Sequence, residues 1–312
     1  MKILITGVHG FVGGNLVAYL AKGNEIYGLD IIAPEKEGVV KTYSWDDLDA
    51  GKVPEVDAII HLAGKAHDTK NQAAAEVYFK VNRDLTIKMF DYFLAHDSIK
   101  KFVFFSTAKA AADKVDGILT EDVIPAPVGP YGESKIAAEK YILEHMQDGK
   151  DVYIFRPCMI HGPGNKGNLN LLYNVVKKGI PWPLGTFDNR RTFTSIENIC
   201  FAVNGVLTKD VPSGIYNMGD DEPLSTNELI EEICKSLEKK SHIWRLPKGL
   251  MNGMAKVGGW LHLPLNPERL RKLTENYISS NAKIKAVLGV EKMPVDAREG
   301  LKVTLDSFNE NK

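Results

Sequence analysis

The feature that most constrains the fold is a set of three spaced glycines near the N-terminus, Gly7, Gly10 and Gly13. They follow the short apolar segment Lys2–Thr6 and open the segment Phe11–Lys22, which has the residue spacing of a helix. Between a strand and a helix, such glycines allow a tight turn, close approach of the backbone to a pyrophosphate, and close packing of the helix on the sheet. The N–H groups at the helix N-terminus then face the phosphates. The pattern predicts a dinucleotide-binding unit.

Short apolar runs alternate with longer helical patterns through the first half of the chain. The runs are almost entirely apolar, as expected when both faces of a parallel sheet are covered. This alternation predicts right-handed βαβ units and an α/β fold with a doubly wound parallel sheet of the Rossmann type. The predicted strands are Lys2–Thr6, Glu25–Asp30, Ala58–Leu62, Phe102–Ser106 and Val152–Phe155, and the predicted helices are Phe11–Lys22, Ala73–His96 and Tyr131–Gln147.

The sequence changes character from Gly162 onward, where glycine and proline residues interrupt shorter segments. Helical patterns recur at Thr226–Leu237 and Pro267–Lys272 without long strands between them. We therefore expect a Rossmann domain in residues 1–161, to which segments at about 190–220 return. Residues 162–312 are expected to form a smaller, irregular α/β substrate domain against the carboxyl edge of the sheet.

Charge and cysteine content argue against several classes of protein. The 39 Lys and Arg residues nearly cancel the 40 Asp and Glu residues, so the chain is not expected to coat nucleic acid or an anionic membrane, although local basic patches are compatible with this balance. Cys158, Cys200 and Cys234 are far apart and form no C-x-x-C pair, which indicates reduced thiols of a cytoplasmic protein and no metal site. The N-terminal apolar run is too short for a signal-peptide core, and no segment has the length of a membrane span.

The most ambiguous apolar stretch runs from Leu250 to Leu265. Three glycines, Lys256 and Pro264 interrupt it. We interpret it as a helix packed on the protein, with a peripheral membrane contact as the alternative.

Asp30 indicates which dinucleotide the glycine loop binds. It ends the second predicted strand, about 20 residues after the glycines, where a carboxylate accepts hydrogen bonds from the ribose hydroxyls of adenosine. The same carboxylate repels a 2′-phosphate, and Ile31 and Ile32 follow it in place of a basic residue. NAD is therefore favoured over NADP as the cofactor.

A candidate catalytic pair lies at the start of the third predicted helix. Tyr131 and Lys135 are four residues apart and share a helix face, and Pro130 suits a helix start. A free tyrosine has a pKa of about 10 and is a poor base at neutral pH. A nearby ammonium and a bound nicotinamide would favour the phenolate, and lowering the pKa by roughly 2–3 would allow general acid–base catalysis. By itself such a pair is usually only an exposed helix face.

Two hydroxyl residues strengthen that interpretation. Ser106 and Thr107 end an apolar strand, at the edge of the sheet where such folds bind ligands. One hydroxyl there could orient the substrate oxygen toward Tyr131, and the alternative is a simple strand-end cap. The order of glycine loop, Ser-Thr strand end and Tyr/Lys helix favours the catalytic interpretation.

Together these motifs resemble the extended short-chain dehydrogenases/reductases, specifically the NAD-dependent epimerase/dehydratase family, over nearly the whole chain. Further matches are His61 to Gly64, Val81-Asn82, Arg156-Pro157, Gly162-Pro163-Gly164 and Arg190 to Phe193. The resemblance implies that Thr107, Tyr131 and Lys135 are the catalytic residues, that Leu62 to Gly64 line the cofactor groove, and that Asp47 and Leu48 meet the adenine. The expected cofactor contacts are Gly7, Gly10, Phe11, Val12, Gly13, Asp30, Asp47, Leu48, Leu62, Ala63, Gly64, Asn82, Tyr131, Lys135 and Pro157.

The resemblance also implies a substrate site for a nucleotide-linked sugar, with UDP-sugars favoured. Arg191 matches the family arginine that pairs with the substrate's phosphates, and a guanidinium suits that geometry. Without the resemblance it would be an ordinary solvated arginine. For His67 and Lys109 two interpretations remain, contact with the substrate and exposure to solvent. The expected substrate contacts are Lys65, Lys109, Asn168, Leu169, Arg191 and Arg271.

Departures from familiar relatives narrow the reaction. Ala108 and Lys109 stand where 4,6-dehydratases of the family carry Asp-Glu, and Ala108 cannot be the acid or base that water elimination needs. Met159 and the stretch after Lys109 also indicate a reshaped sugar pocket. We expect a UDP-sugar 4-epimerase, with a 4-keto-sugar reductase and a non-catalytic NAD-binding regulator as alternatives. By resemblance, the chain is expected to form a homodimer through the helices at residues 73–96 and 131–147.

Overall fold

The computed structural model describes residues 1–65, 74–165, 167–261 and 266–310. Within them, seven strands form one parallel sheet in the order β10-β7-β5-β4-β1-β2-β3. These strands are β1 (Lys2–Thr6), β2 (Glu25–Leu29), β3 (Lys41–Tyr43), β4 (Ala58–His61), β5 (Lys101–Phe105), β7 (Asp151–Pro157) and β10 (Gly214–Met218). Two further parallel pairs join β6 (Ile118–Leu119) to β11 (Ile278–Ser279) and β8 (Met159–His161) to β9 (Phe193–Ser195).

The helices lie between these strands and after them. In the first half they are α1 (Phe11–Leu20), α2 (Trp45–Asp49), α3 (Ala75–Tyr78), α4 (Leu85–Ala95), α5 (Ala108–Ala111) and α6 (Pro130–Glu144). In the second half they are α7 (Asn168–Lys177), α8 (Ile196–Thr208), α9 (Thr226–Ser236), α10 (Lys248–Trp260), α11 (Pro267–Thr274), α12 (Ala282–Leu288) and α13 (Ala297–Glu310).

Alternating side chains of each central strand enter two different cores. Ile3 and Ile5 of β1 pack with α1, α8 and α12, whereas Leu4 packs with α4 and α6. Successive side chains of a strand point to opposite faces of the sheet, so apolar residues at every position are needed when helices cover both faces. This confirms the predicted doubly wound α/β fold.

The predicted elements correspond closely to the observed ones. The five predicted strands are β1, β2, β4, β5 and β7; the bounds of β1 are the predicted ones, and those of the other four differ by at most two residues at either end. The helix predicted over Ala73–His96 is interrupted by a π-helical segment, Phe79–Asp84, between α3 and α4. The expected return of residues near 190–220 to the first domain corresponds to α8, packed on α1, and to β10 at the edge of the sheet.

The remaining helices form smaller cores that are separate from the two cores of the sheet. Residues of α7, α9 and α13 share one apolar cluster, and residues of α10 and α11 share another. α12 instead returns to the main core through Ile284 and Leu288. Across the described ranges, no helix is both long and apolar enough to cross a membrane.

Candidate active site

The glycine loop has the backbone shape that a phosphate-binding turn requires. Gly7 has a φ of +69°, in the left-handed region that favours glycine. A side-chain carbon at Gly13 would lie 2.4 Å from the Gly7 carbonyl oxygen, and one at Gly10 would lie 3.1 Å from the same oxygen. α1 then begins without a side-chain cap and without an acidic residue in its first turn, which contains Phe11 and Val12. Its first N–H groups are therefore free of side-chain acceptors, which fits an anionic dinucleotide.

Asp30 lies beside this loop, immediately after β2. Its carboxylate accepts a hydrogen bond of 3.0 Å from the backbone N–H of His9 and one of 2.8 Å from that of Ile31. These two bonds fix the carboxylate at the mouth of the glycine loop while leaving further lone pairs for ribose hydroxyls. The arrangement fits NAD.

The segment after β4 connects the glycine loop to the catalytic helix. The Thr6 hydroxyl oxygen accepts hydrogen bonds from the N–H groups of Leu62 and Ala63, at 3.1 and 2.9 Å. A side-chain carbon at Gly7 would come within 3.0 Å of the Ala63 nitrogen. One at Gly64 would come within 3.2 Å of the Lys135 ammonium. The segment after β4 therefore packs closely against both the glycine loop and Lys135.

The three predicted catalytic residues meet at the end of β5 and the start of α6. The Tyr131 phenol is hydrogen-bonded to the Thr107 hydroxyl. The Lys135 ammonium is buried and donates a 2.8 Å hydrogen bond to the Phe105 carbonyl oxygen. Pro130, in the first turn of α6, sets the helix start that places Tyr131 and Lys135 one turn apart.

The electrostatics of Tyr131 differ from the sequence-based expectation. Burial raises the pKa of Tyr131 above its ordinary value, and Tyr78 adds to the rise, while the hydrogen bond with Thr107 opposes it. The expectation that Lys135 makes the phenol more acidic is therefore wrong for the protein alone. The physical reason is that the Lys135 ammonium is directed to a backbone carbonyl, and its own burial lowers its pKa to about 8.

A buried ion pair, which was not predicted from the sequence, links α6 to β7. The guanidinium of Arg156 on β7 donates to both carboxylate oxygens of Glu139, with its shortest contact at 2.5 Å, and both side chains are fully buried. The Ser106 hydroxyl also donates to Glu139. Glu139 follows Lys135 by one helical turn, and its charge raises the pKa of Lys135 against the effect of burial. Glu139 is eight residues after Tyr131, a spacing that places both on one face of the helix, and this was the signal in the sequence that could have identified it.

Asn82, one of the expected cofactor contacts, links two segments of the site. It is completely buried in the π-helical segment, and its amide oxygen accepts a 2.7 Å hydrogen bond from the Lys65 N–H. Its amide nitrogen donates to the Lys65 carbonyl at 3.2 Å and to the Ser134 hydroxyl at 3.0 Å. Asn82 thus clamps the segment after β4 to α6. Tyr78, which precedes it, meets the Tyr131 ring edge-on with centroids 6.3 Å apart.

Three of the predicted substrate residues come together around two acids. The Lys109 ammonium donates to the Asp113 carboxylate at 3.0 Å, and Arg271 lies 3.7 Å from the same group. Arg271 also pairs with Glu275 at 3.1 Å. Arg191 donates to the backbone carbonyls of Glu275 and Lys272. The cluster joins α5, α11 and the segment before β9.

The other predicted contacts are distributed differently. Asn168 is exposed at the start of α7, and the Leu169 side chain is buried among α9 and α13. Across the described residues, no hydrogen bond or ion pair links either one to the arginine cluster. Pro157 is the buried last residue of β7. His67 lies outside the described residues.

Asp47 and Leu48, the expected adenine contacts, lie in α2. Asp47 is in the first turn of α2, where its carboxylate accepts from Ser44 and from Lys52 at 2.8 Å. Leu48 is buried in the core with Val53. The residues that directly follow β3 are Ser44 and Trp45.

Comparisons with known proteins agree with this geometry. The profile of the NAD dependent epimerase/dehydratase family matches residues 3–219. The chain is 31% identical over 268 residues to the UDP-glucose 4-epimerase of Vibrio cholerae, covering 79% of this chain and 78% of that protein. It is 27% identical over 242 residues to the GDP-6-deoxy-D-mannose reductase of Pseudomonas aeruginosa, covering 74% and 78%. A crystal structure of UDP-glucuronic acid 4-epimerase from Bacillus cereus with UDP-glucuronic acid and NAD has a TM-score of 0.77 at 20% identity, covering 100% of both chains.

The family profile covers well over half of the chain, including the glycine loop, the Tyr/Lys helix and β10. It confirms the resemblance seen in the sequence motifs and the expectation of NAD as the type of cofactor. This chain belongs to the NAD dependent epimerase/dehydratase family.

Proposed function

We propose that the protein is an NAD-dependent nucleotide-sugar 4-epimerase that acts on a UDP-sugar. The observation that carries this proposal is the hydrogen bond between Thr107 and Tyr131, one helical turn from Lys135, which packs against the segment that also contacts the glycine loop. The Vibrio cholerae relative, a UDP-glucose 4-epimerase, supports the choice of reaction and nucleotide.

Inversion at C4 requires the loss and return of one proton and one hydride. Bound NAD would supply the acceptor for the hydride from C4 and the donor for its return to the opposite face. A bound nicotinamide cation would favour the Tyr131 phenolate, which the protein alone does not; the proton of the C4 hydroxyl would then pass to that oxygen and come back from it, while the Thr107 hydroxyl orients the substrate oxygen. Lys135 fixes the position of α6, and so of Tyr131, through its hydrogen bond to Phe105. It also places a positive charge in a site from which water is largely excluded.

The cofactor would be held by the glycine loop, by Asp30 and by the segment Leu62 to Gly64. The free N–H groups at the start of α1 would meet the pyrophosphate, and Asp30 would accept from the ribose hydroxyls. Lys109, Arg191 and Arg271 would bind the substrate's diphosphate. Their present partners, Asp113 and Glu275, carry two negative charges against three positive ones, so one positive charge remains for an anionic diphosphate.

A ketoreductase is the second candidate, because it uses the same three residues once, in the reducing direction. The Pseudomonas aeruginosa relative, a GDP-6-deoxy-D-mannose reductase, favours this alternative. A dehydratase is disfavoured because Ala108 is buried and has no titratable group.

The test is incubation of the purified protein with UDP-glucose, UDP-galactose, UDP-glucuronic acid and dTDP-glucose, with and without added NADH. An epimerase interconverts a C4 pair without added cofactor and retains NAD through purification. A reductase instead consumes NADH in proportion to product from a 4-keto sugar.

Tyr131→Phe should lower turnover about a hundredfold or more, the range for loss of a general acid–base group. Tyr141→Phe is the matched control, since Tyr141 is on the same helix and bonds to Asp91 at the surface. If Tyr131→Phe retains full biological activity, the protein is a regulator and the enzymatic proposal fails.

The finer expectations on assembly and location are also proposed. A homodimer through α4 and α6 is supported by the partly exposed apolar side chains of Leu143 and Met146 near the end of α6. Light scattering that gives a monomer mass at micromolar concentration would contradict it.

A cytoplasmic location is supported by three free cysteines, as a reducing compartment allows, and fractionation of cells would check it.

A further inference from the structure

The surface of α10 carries an apolar stripe that the proposed reaction does not use. Leu250, Met254, Val257 and Leu261 recur at helical spacing and are each at least half exposed. Trp260 extends the stripe and is 80% exposed. Exposed apolar patches of this kind mark contact with another protein or with a membrane.

The orientation of this stripe is fixed by the opposite packing of the same helix. Met251 and Ala255 are almost completely buried against Leu184 and Leu270. Since these two positions anchor α10, the helix cannot turn its exposed stripe inward without losing its own core. The stripe is therefore a permanent feature of the surface.

The charge around the stripe identifies its partner. From Lys239 to Pro267 the sequence has five Lys and Arg residues and no Asp or Glu, in a chain whose net charge is −1. Arg245 and Lys256 are exposed, and neither makes a salt bridge with any of the described residues. Lys256 lies one helical turn before Trp260. Basic residues beside an apolar face with an exposed tryptophan are the features of a helix that lies in the interface of an anionic membrane.

We propose that α10 and the segment leading into it dock the protein on an anionic lipid surface. The apolar stripe enters the boundary between headgroups and acyl chains, and Arg245 and Lys256 pair with lipid phosphates. Trp244, which is 54% exposed on the segment before α10, adds a second aromatic contact. This proposal is independent of the sugar and of the reaction, because none of these residues belongs to the groove.

The test is cosedimentation of the full chain with lipid vesicles. The protein should pellet with vesicles that contain phosphatidylglycerol and phosphatidylcholine, and should remain in solution with phosphatidylcholine alone or at high salt. Arg245→Gln with Lys256→Gln should weaken binding about 25-fold, at about fivefold for each charge. The double variant Lys114→Gln, Lys140→Gln, which removes two exposed charges elsewhere, is the control.

A second pair of variants tests the apolar stripe. Val257→Glu with Trp260→Glu should abolish vesicle binding, whereas Ile124→Glu, at an 87% exposed position outside α10, should leave it unchanged. Unaltered circular dichroism and NAD binding would show that each variant is folded. The proposal is overturned if the wild type does not pellet with anionic vesicles, or if Ile124→Glu weakens vesicle binding as much as Val257→Glu with Trp260→Glu does. It is also overturned if light scattering shows that Val257→Glu with Trp260→Glu splits a dimer, because the stripe would then contact a second copy.

Discussion

The Lys135 ammonium donates a 2.8 Å hydrogen bond to the carbonyl oxygen of Phe105, the last residue of β5. This bond ties the catalytic helix to the strand that delivers Ser106 and Thr107. It also places a cation in a buried site, where desolvation lowers its pKa to about 8. Lys135 therefore positions α6 against β5 and, because its charge is buried, lowers the free energy of unfolding.

Lys135→Met should stabilise the protein at pH 7 while nearly abolishing turnover. The folded-state pKa of about 8 lies below the ordinary value of 10.5, so burial of the charge costs about 3 kcal/mol below pH 8. Loss of the hydrogen bond to Phe105 destabilises the variant by about 1 kcal/mol, so its net gain in the free energy of unfolding is about 2 kcal/mol. Urea denaturation at several pH values is the measurement.

The sign of the pH dependence follows from linkage. Between about pH 8 and 10.5 the unfolded chain binds more protons at this position than the folded chain, so the wild type gains stability relative to Lys135→Met as pH rises. The exposed Lys140 on the same helix is the control, and Lys140→Met should show neither effect. A stability difference between wild type and Lys135→Met that is independent of pH would contradict the prediction.

Tyr131 should titrate above pH 10 in protein stripped of nucleotide. Burial raises its pKa, and the hydrogen bond with Thr107 only partly offsets that rise. The titration is obtained from the ultraviolet absorbance difference between wild type and Tyr131→Phe. Thr107→Val should move it still higher, and an inflection below pH 10 in the stripped protein would show that Lys135 acts on the phenol after all.

Removing one partner of the Glu139–Arg156 pair should be worse than removing both. Glu139→Gln leaves the guanidinium of Arg156 buried without its counter-charge, at a cost of about 3–5 kcal/mol. The double variant Glu139→Gln, Arg156→Met should recover part of that loss. Thermal unfolding of the single and double variants gives the coupling energy, and simple additivity would count against a mutually dependent pair.

Gly13→Ala and Gly14→Ala should have opposite outcomes although they are neighbours in α1. A side-chain carbon at Gly13 meets the Gly7 oxygen at 2.4 Å, so the loop must shift and NAD binding should be lost. At Gly14 the nearest atom is the flexible end of Lys36 at 3.4 Å. Alanine there should be neutral or stabilise by up to about 1 kcal/mol. Calorimetric titration with NAD, together with thermal unfolding, separates the two; equal losses would refute the packing explanation.

Asp30→Ala should weaken NAD binding about tenfold or more and should narrow the preference for NAD over NADP. The carboxylate supplies charge-assisted hydrogen bonds to the ribose, and its removal also ends the repulsion of a 2′-phosphate. Titrations with both dinucleotides measure the ratio. An unchanged ratio would mean that Asp30, already bonded to His9 and Ile31, serves only the loop.

Much of the groove was predictable because its signals are local. The glycine spacing, the apolar strands and the one-turn separation of Tyr131 and Lys135 each depend on a few consecutive residues and on fixed helix or strand periods. The adenine contact of Asp47 and Leu48 stays a prediction, because a short strand such as β3 gives little pattern from which to fix its end.

The sequence by itself determined the Rossmann sheet, the dinucleotide loop and the family, because backbone geometry repeats over short distances. Only the tertiary structure decided that Glu139 meets Arg156, that Lys109 and Arg271 share Asp113, and that the phenol of Tyr131 is less acidic than a free tyrosine. Burial and desolvation depend on which distant segments cover a side chain, and that information lies in the packing of the whole chain.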